Sequence, residues 1–388
     1  MFQEDMYRIL GKNIISKCLI CESSELEMAW KKPPNSICAN CGFVFLSLLP
    51  ERLKVRKYYK DSPFSSGSAY HEKINEGLIN NVFEVLEKHI TPFSGSVLEI
   101  GCGRGDLLAR LLQRGWDVTG IEPSLSSSRS ALKKRLNVHT SLLEEVHFKS
   151  NRFDLVICIS TLEHLINPKE SLNRVRRWLK QKGLLYIIVP DAFGRPFHRS
   201  DLEIVEHVSH FTTNSLKYLL SVCGYDTIFV NKDKRKTYIQ VLAIKSTGPI
   251  MNKIYASEYK KSLSRVNRQK AKNETEKKRL NRIIRAKIDT WIKQKSKIGI
   301  YGTGIHTYYL NDIVNISKFP CYYFDSDPVK RKLKIFGKTI YGPTDLRKLG
   351  IEKVIISSEA YEQEIYDLIE RSSKNIEVLS LYNKCGKM

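Results

Sequence analysis

Short apolar runs alternate with amphipathic stretches in two separate parts of the chain. Between residues 75 and 248 the runs VLEIG, DVTGIE, FDLVICIS and LLYIIVP are rich in Val, Ile and Leu, with helically spaced stretches between them. Near-continuous apolar strands separated by amphipathic helices predict a parallel sheet covered on both faces. Residues 298 to 383 restart the pattern with KIGIYG, CYYFD, KVIIS and IEVLSL. Between the two parts, Leu280, Ile283, Ile284, Ile288 and Trp291 recur at helical spacing and predict one apolar stripe along a long helix. The first 50 residues are helix-poor. The expected architecture is α/β in four parts: a segment over 1–55, an α/β domain over 56–250, a helical linker over 251–297, and a second α/β domain over 298–388.

Charge sharpens this division. The chain of 388 residues carries 64 Lys or Arg against 41 Asp or Glu, a net +23. Residues 251–297 hold sixteen basic residues against four acidic ones, so half the surplus lies in the linker. Such a surplus suits nucleic acid, an anionic surface or a phosphorylated substrate. No apolar run is long enough to span a bilayer, and MFQEDMYRIL carries acids where a signal peptide carries bases. A cytoplasmic protein without membrane insertion is expected, in which the nine cysteines are thiols or metal ligands.

Four of them are spaced as a site. CLIC (Cys18, Cys21) and CANC (Cys38, Cys41) enclose sixteen residues, and four thiolates at that spacing match tetrahedral zinc. Four sulfur ligands leave no open position, so the zinc is expected to be structural. Gly42 follows the second pair, where the backbone must fold back toward sulfur. The remaining five cysteines read as small buried apolar residues.

The sharpest motif is VLEIGCGRGDLLARLL. A strand carries Glu99, a loop carries Gly101, Gly103 and Gly105, and a helix begins at Asp106 or Leu107. Glycines permit close backbone approach to a ligand, and the helix amides face an anionic group. The next strand ends in Glu122, where a carboxylate can accept both hydroxyls of a ribose. A dinucleotide loop would read GxGxxG. The spacing here is ExGxGxG, which resembles motif I of the class I S-adenosylmethionine (SAM)-dependent methyltransferases. FDLVICISTLEHL and LKQKGLLYIIVPD resemble the fourth and fifth strands of that family with their adjoining loops. The resemblance implies a Rossmann-like methyltransferase core with SAM as cofactor, Gly101, Gly103 and Gly105 beside its methionine part, Glu122 on its ribose, and adenine contacts around Ser141 and Leu142.

The order of parts is similar to the sugar C-methyltransferases of deoxysugar pathways: a zinc knuckle, a methyltransferase core, then a second Rossmann-like unit. That resemblance implies a nucleotide-linked keto-sugar as the small-molecule substrate, in deoxysugar or surface-polysaccharide biosynthesis. RKYYKDSPFSSGSAYH is like the family's Tyr-rich stretch, which closes over the cofactor and makes Tyr59 a candidate, with Phe64 behind it. The family's His after the fourth strand matches His164, and its Glu-His pair after the fifth matches Glu206 and His207. Carbon beside a ketone becomes nucleophilic only after losing a proton, and the resulting enolate needs donors. His207 is the expected base, Glu206 its support and His164 a donor to the oxyanion. His210 and the threonines of HFTTNSL read as packing and as a helix cap at Thr213 or Asn214. The family's Tyr two residues before the Glu is Ile204 here, and EHxxHFT segments also occur in methyltransferases that act on oxygen. Sugar O-methylation therefore stands beside C-methylation.

IYGTG, with Gly302 and Gly304, and YFDSD, with Asp325 and Asp327, resemble a second nucleotide-type turn, but Thr307 replaces the third glycine. The resemblance implies a wall for the substrate's nucleotide instead of a dinucleotide site. The basic helix admits nucleic acid as a partner, although few aromatics accompany the charge, so an RNA substrate is not favoured. The oligomeric state is not expressed in the sequence.

Overall fold

The structure, a computed structural model, describes residues 10–61, 69–194, 200–231, 237–247, 258–359, 361–372 and 375–382. It divides into two compact units, one over Met6–Gln269 and the other containing Lys270–Met388.

After a short antiparallel pair, Leu10–Ile14 with Leu48–Pro50, the first unit has three antiparallel strands, β1 (Leu26–Trp30), β2 (Asn35–Cys38) and β3 (Val44–Leu46). Helices α1 (Arg52–Asp61) and α2 (Ala69–His89) lead into the α/β core. Its elements are β4 (Ser96–Ile100), α3 (Asp106–Gln113), β5 (Asp117–Ile121), α4 (Leu125–Lys133), β6 (Asn137–His139), β7 (Phe153–Ile159), α5 (Pro168–Trp178) and β8 (Leu179–Pro190). After β8 come β9 (Ser209–His210), α6 (Thr213–Val222), β10 (Tyr225–Val230) and β11 (Tyr238–Lys245). Seven strands form one sheet in the order β10-β11-β8-β7-β4-β5-β6. Its five N-terminal strands are parallel, and β11 runs antiparallel to both neighbours. The β7 run FDLVICI is buried almost throughout, as a strand covered on both faces must be.

The short strand β9 leaves this sheet and pairs with β3 instead, Ser209 opposite Phe45 and His210 opposite Val44. A loop of the α/β core thereby becomes the fourth strand of the cysteine-bearing sheet. Phe43 stacks on Phe45 and packs against Phe211, with 5.6 Å between ring centroids in each pair. Cys18, Cys38, Phe43, Leu98 and Phe211 share one continuous core.

Helix α7 (Glu258–Lys293) crosses the division between the units. In its first part Val266 is buried among Trp30, Val44 and Leu202. In its second part Leu280, Ile284, Ile288 and Trp291 are buried with Ile298, Ile300 and Tyr323. Residues 280–291 of the expected linker are thus core of the second unit, because the stripe has a sheet of its own to cover. That sheet holds β12 (Ile298–Tyr301), β13 (Cys321–Phe324), β14 (Lys338–Tyr341), β15 (Lys353–Ile356) and β16 (Glu377–Ser380), with helix α8 (Ile305–Val314) after β12. These five strands are parallel, in the Rossmann-like order β14-β13-β12-β15-β16, and a sixth, two-residue strand, Lys334–Ile335, pairs antiparallel with β14 at the edge. Among the described residues no helix is long and apolar enough to cross a membrane.

Candidate active site

The loop after β4 is shaped by its glycines. Gly101, Gly103 and Gly105 have φ of 73°, 53° and 73°, the left-handed region that penalises a side chain. A Cβ on Gly101 would lie 2.2 Å from Thr161 Oγ1, so β7's loop presses on it. A Cβ on Gly103 would meet nothing within 4 Å; this is the open side of the turn, where a ligand can approach the backbone. Glu122, at the end of β5, braces the loop from below: Oε2 accepts from Gly103 N at 2.9 Å and Oε1 from Ser124 N at 2.7 Å. Burial raises the Glu122 carboxyl above its ordinary value, partly offset by those two amides.

A cavity of about 310 Å³ lies over this turn, within the range of small-molecule sites. Gly101, Gly103 and Glu122 form its floor, Leu142, Leu143 and Glu144 one side, and Thr161, His164 and Glu206 another. Arg52, Val55 and Tyr59 close it from α1 at positions i, i+3 and i+7, one face of that helix. Burial, then the charges of Tyr58, Glu206 and Glu163, holds the Tyr59 hydroxyl well above its ordinary value, so it keeps its proton. Ser160, which also lines the cavity, has φ 46°, local strain at the mouth of the site.

Four residues expected at the site are not on this wall. Gly105 packs toward Leu136 and Ala131. The Ser141 hydroxyl donates to Glu145 Oε2 at 2.9 Å, and the cavity wall runs through Leu142 and the two residues after it. Glu99 is buried, and burial followed by the charges of Glu122 and Asp106 holds its carboxyl well above the usual range. The fourth, His207, lies beside the wall. Phe64 falls outside the described residues.

His207 packs edge-on against His164 with ring centroids 4.9 Å apart. His164 Nδ1 lies 2.9 Å from the backbone carbonyl of Glu206, which must accept, so hydrogen sits on Nδ1. His207 Nδ1 is 3.0 Å from Asp201 Oδ1. The acid at hydrogen-bond distance from His207 is thus Asp201, while Glu206 is among the residues that line the cavity. The turn Asp201–Glu203 brings its acid back beneath the ring, and the following turn, closed by His207 N donating to the Ile204 carbonyl at 3.1 Å, sets the ring over it. His210 is wholly buried against the other Asp201 oxygen at 2.9 Å. The cap of α6 is Thr212, which is extended at φ −108°, ψ 163° and accepts from Ser215 N; Thr213 begins the helix. Sequence reasoning missed Asp201, Arg52 and Thr161, and no local spacing marks any of them.

The four cysteines converge, their sulfurs all within 4.8 Å of one another. Cys18 and Cys41 sulfurs are 3.6 Å apart and those of Cys21 and Cys38 3.5 Å. A tetrahedron of ~2.3 Å metal–sulfur bonds has edges near ~3.8 Å, so this donor set fits zinc. Gly42, at φ 72°, donates to the Cys38 carbonyl and folds the chain back. Cys102, Cys158, Cys223 and Cys321 are buried, and Cys385 lies outside the described residues.

In the second unit Gly302 (φ 96°) follows β12, and Asp325 follows β13. Asp325 Oδ2 accepts from Thr303 N at 2.9 Å, Thr303 Oγ1 at 2.7 Å and Lys330 Nζ at 3.1 Å. The Gly302 carbonyl accepts from the hydroxyls of Thr307 and Ser357.

A family model described as a methyltransferase domain matches residues 70–229. A ubiquinone biosynthesis O-methyltransferase of Rickettsia bellii is 32% identical over 123 residues, 30% of this chain and 50% of its own length. The chain thus spans about half the length of that curated relative. An uncharacterized protein of Methanocaldococcus jannaschii is 37% identical over 159 residues, 36% of this chain and 68% of its own. The solved magnesium protoporphyrin IX methyltransferase of Synechocystis PCC 6803, with bound SAH, is 18% identical with a TM-score of 0.40, covering 50% of this chain and all of that one.

Proposed function

We propose that this chain is a class I SAM-dependent methyltransferase that methylates carbon beside the ketone of a nucleotide-linked sugar. The observation that carries this reading is the wall opposite the glycine loop, where His164, Glu206 and Tyr59 face one cavity and His207 stands edge-on to His164. Gly101 and Gly103 would hold the methionine part of the cofactor, Glu122 its ribose and Leu142 and Leu143 its adenine; Gly103's open side and Glu122's buried carboxylate fit such a ligand. The bound cofactor supplies an electrophilic methyl group.

With Nδ1 on Asp201, His207 presents Nε2 as its basic atom and takes the proton from the substrate carbon. The electrons of the broken C–H bond pass to the ketone oxygen, where the Tyr59 hydroxyl donates a hydrogen bond to the enolate; His164, whose Nδ1–H is held by the Glu206 carbonyl, donates from Nε2 when it is the imidazolium. The cysteines hold a structural zinc, which keeps β2 and β3 in place beside β9. The O-methyltransferase relative favours a second reading, in which the same base takes a hydroxyl proton.

The test is wash-out of hydrogen at the carbon beside the ketone, run in deuterated water with nucleotide-linked keto-sugars and no methyl donor. Exchange that disappears in His207→Gln is expected. Methyl transfer from labelled SAM without any exchange selects the hydroxyl reading, and label appearing only in RNA removes the sugar reading.

A further inference from the structure

The buried network behind His207 fixes its own protonation. Asn35, on β2 of the cysteine sheet, is fully buried, and its amide nitrogen donates to the carbonyls of Pro33 at 3.0 Å and Leu202 at 2.9 Å. Those two acceptors orient the amide, leaving Oδ1 as the atom 2.8 Å from His210 Nε2. An amide oxygen only accepts, so Nε2 carries hydrogen. His210 Nδ1, 2.9 Å from an Asp201 oxygen, faces a second acceptor and carries hydrogen too. An imidazole that donates from both nitrogens is the imidazolium.

Burial agrees with this count. The side chains of His210 and Asp201 are 0% and 1% exposed, and a lone ion there would be costly to desolvate. Together they are neutral. Burial alone would raise the Asp201 carboxyl, yet the charges and hydrogen bonds of His207 and His210 hold it well below its ordinary value.

We propose that His210 is kept as a buried cation that neutralises Asp201, and that Asp201 is a positioning residue which fixes hydrogen on His207 Nδ1 without placing net charge beside the base. The proposal rests on His207 being the base, as read above. Asn35 sets the arrangement from the cysteine-bearing sheet, so a residue outside the α/β core decides the charge state behind the reacting group. Other titratable groups face His207 as well: His164 and Glu163 from the turn Leu162–His164, Tyr59 beyond His164, and the adjoining Glu206. Asp201 is the group that meets His207 Nδ1 at hydrogen-bond distance.

The experiment is nitrogen NMR of the full-length wild-type protein carrying ¹⁵N-histidine, with signals assigned through His207→Gln and His210→Gln. Both ring nitrogens of His210 are expected to stay protonated past the ordinary histidine midpoint of about 6.5, with hydrogen on Nδ1 of neutral His207. A His210 ring with one protonated nitrogen near neutrality overturns the proposal. The pH profile of kcat/KM supplies the second readout. His210→Gln leaves Asp201 uncompensated and moves the acidic limb up by about one pH unit. Asp201→Asn moves it down and lowers kcat on the order of 100-fold or more, with the tautomer released. A merely structural role would lower the plateau and leave both limbs in place, and that outcome also overturns the proposal. Turnover retained in His207→Gln defeats the base reading alone, and the His210 spectrum then decides the cation separately.

Discussion

The two units carry the same device, a glycine turn after the first strand and an acid after the second, yet they finish it differently. In the first, Glu122 braces two backbone amides and has a cavity of about 310 Å³ above it, and burial leaves its carboxyl raised. In the second, Asp325 faces the same burial but gains Lys330, Asp327 N and Thr303, and its carboxyl is lowered. Thr307 and Ser357 close onto the Gly302 carbonyl. A carboxylate at this position is available to a ligand where the fold stops short of satisfying it. The fold itself takes that role when a lysine and a threonine are added.

The strongest way to break this contrast is to fill each turn. Gly101→Val puts a side chain 2.2 Å from Thr161 at a positive φ and is expected to weaken SAM binding by at least ~100-fold, about 2.7 kcal/mol, by calorimetry. Gly302→Val, also at positive φ, should lower thermal stability and leave SAM affinity unchanged; equal losses of affinity would erase the distinction.

Next in size is removal of each acid. Glu122→Ala leaves two amides without an acceptor and is expected to cost roughly 10- to 100-fold in SAM affinity. Asp325→Ala should leave that affinity intact and cost about 2–3 kcal/mol in denaturant unfolding, since Lys330 and Thr303 lose their partner.

The pH dependence of stability should run in opposite senses. Asp325 is lowered below an unfolded value of about 3.9, so its contribution is present above that pH and is lost as pH falls through the folded value. Glu122 is raised above an unfolded value of about 4.3, so its contribution is fully present below 4.3 and is lost as pH rises through the folded value. Denaturation of Asp325→Asn and Glu122→Gln across this acid range checks both signs. The smallest effect is expected for Ser357→Ala, which removes one of two hydroxyls on the Gly302 carbonyl, at about 0.5–1.5 kcal/mol with SAM affinity unmoved.

Much of this was legible in the sequence because it depends on short-range chemistry. Uninterrupted β-rich runs mark covered strands, and glycines at 101, 103 and 105 mark a turn that only glycine makes cheaply. Two CxxC pairs mark four thiols whatever joins them. Other features arise only on folding. Asp201 reaches His207 and His210 through a turn and a strand pairing, neither of which leaves a spacing. Arg52 belongs to RLKVRKYYKD, which is too polar to announce the face turned toward the cavity. The cap expected at Thr213 or Asn214 falls instead at Thr212, whose extended backbone no local spacing announces.

The pairing of β9 with β3 also sets an order of assembly. Asn35 and His210 lie 175 residues apart in sequence, so a ribosome makes the cysteine-bearing strands long before their fourth member exists. Until residues 209–210 are made, β3 has an exposed edge, and the loop that carries His207 has no template. The segment that carries Glu206 therefore takes its place later than the glycine turn, and the cavity both of them line is complete only after that pairing.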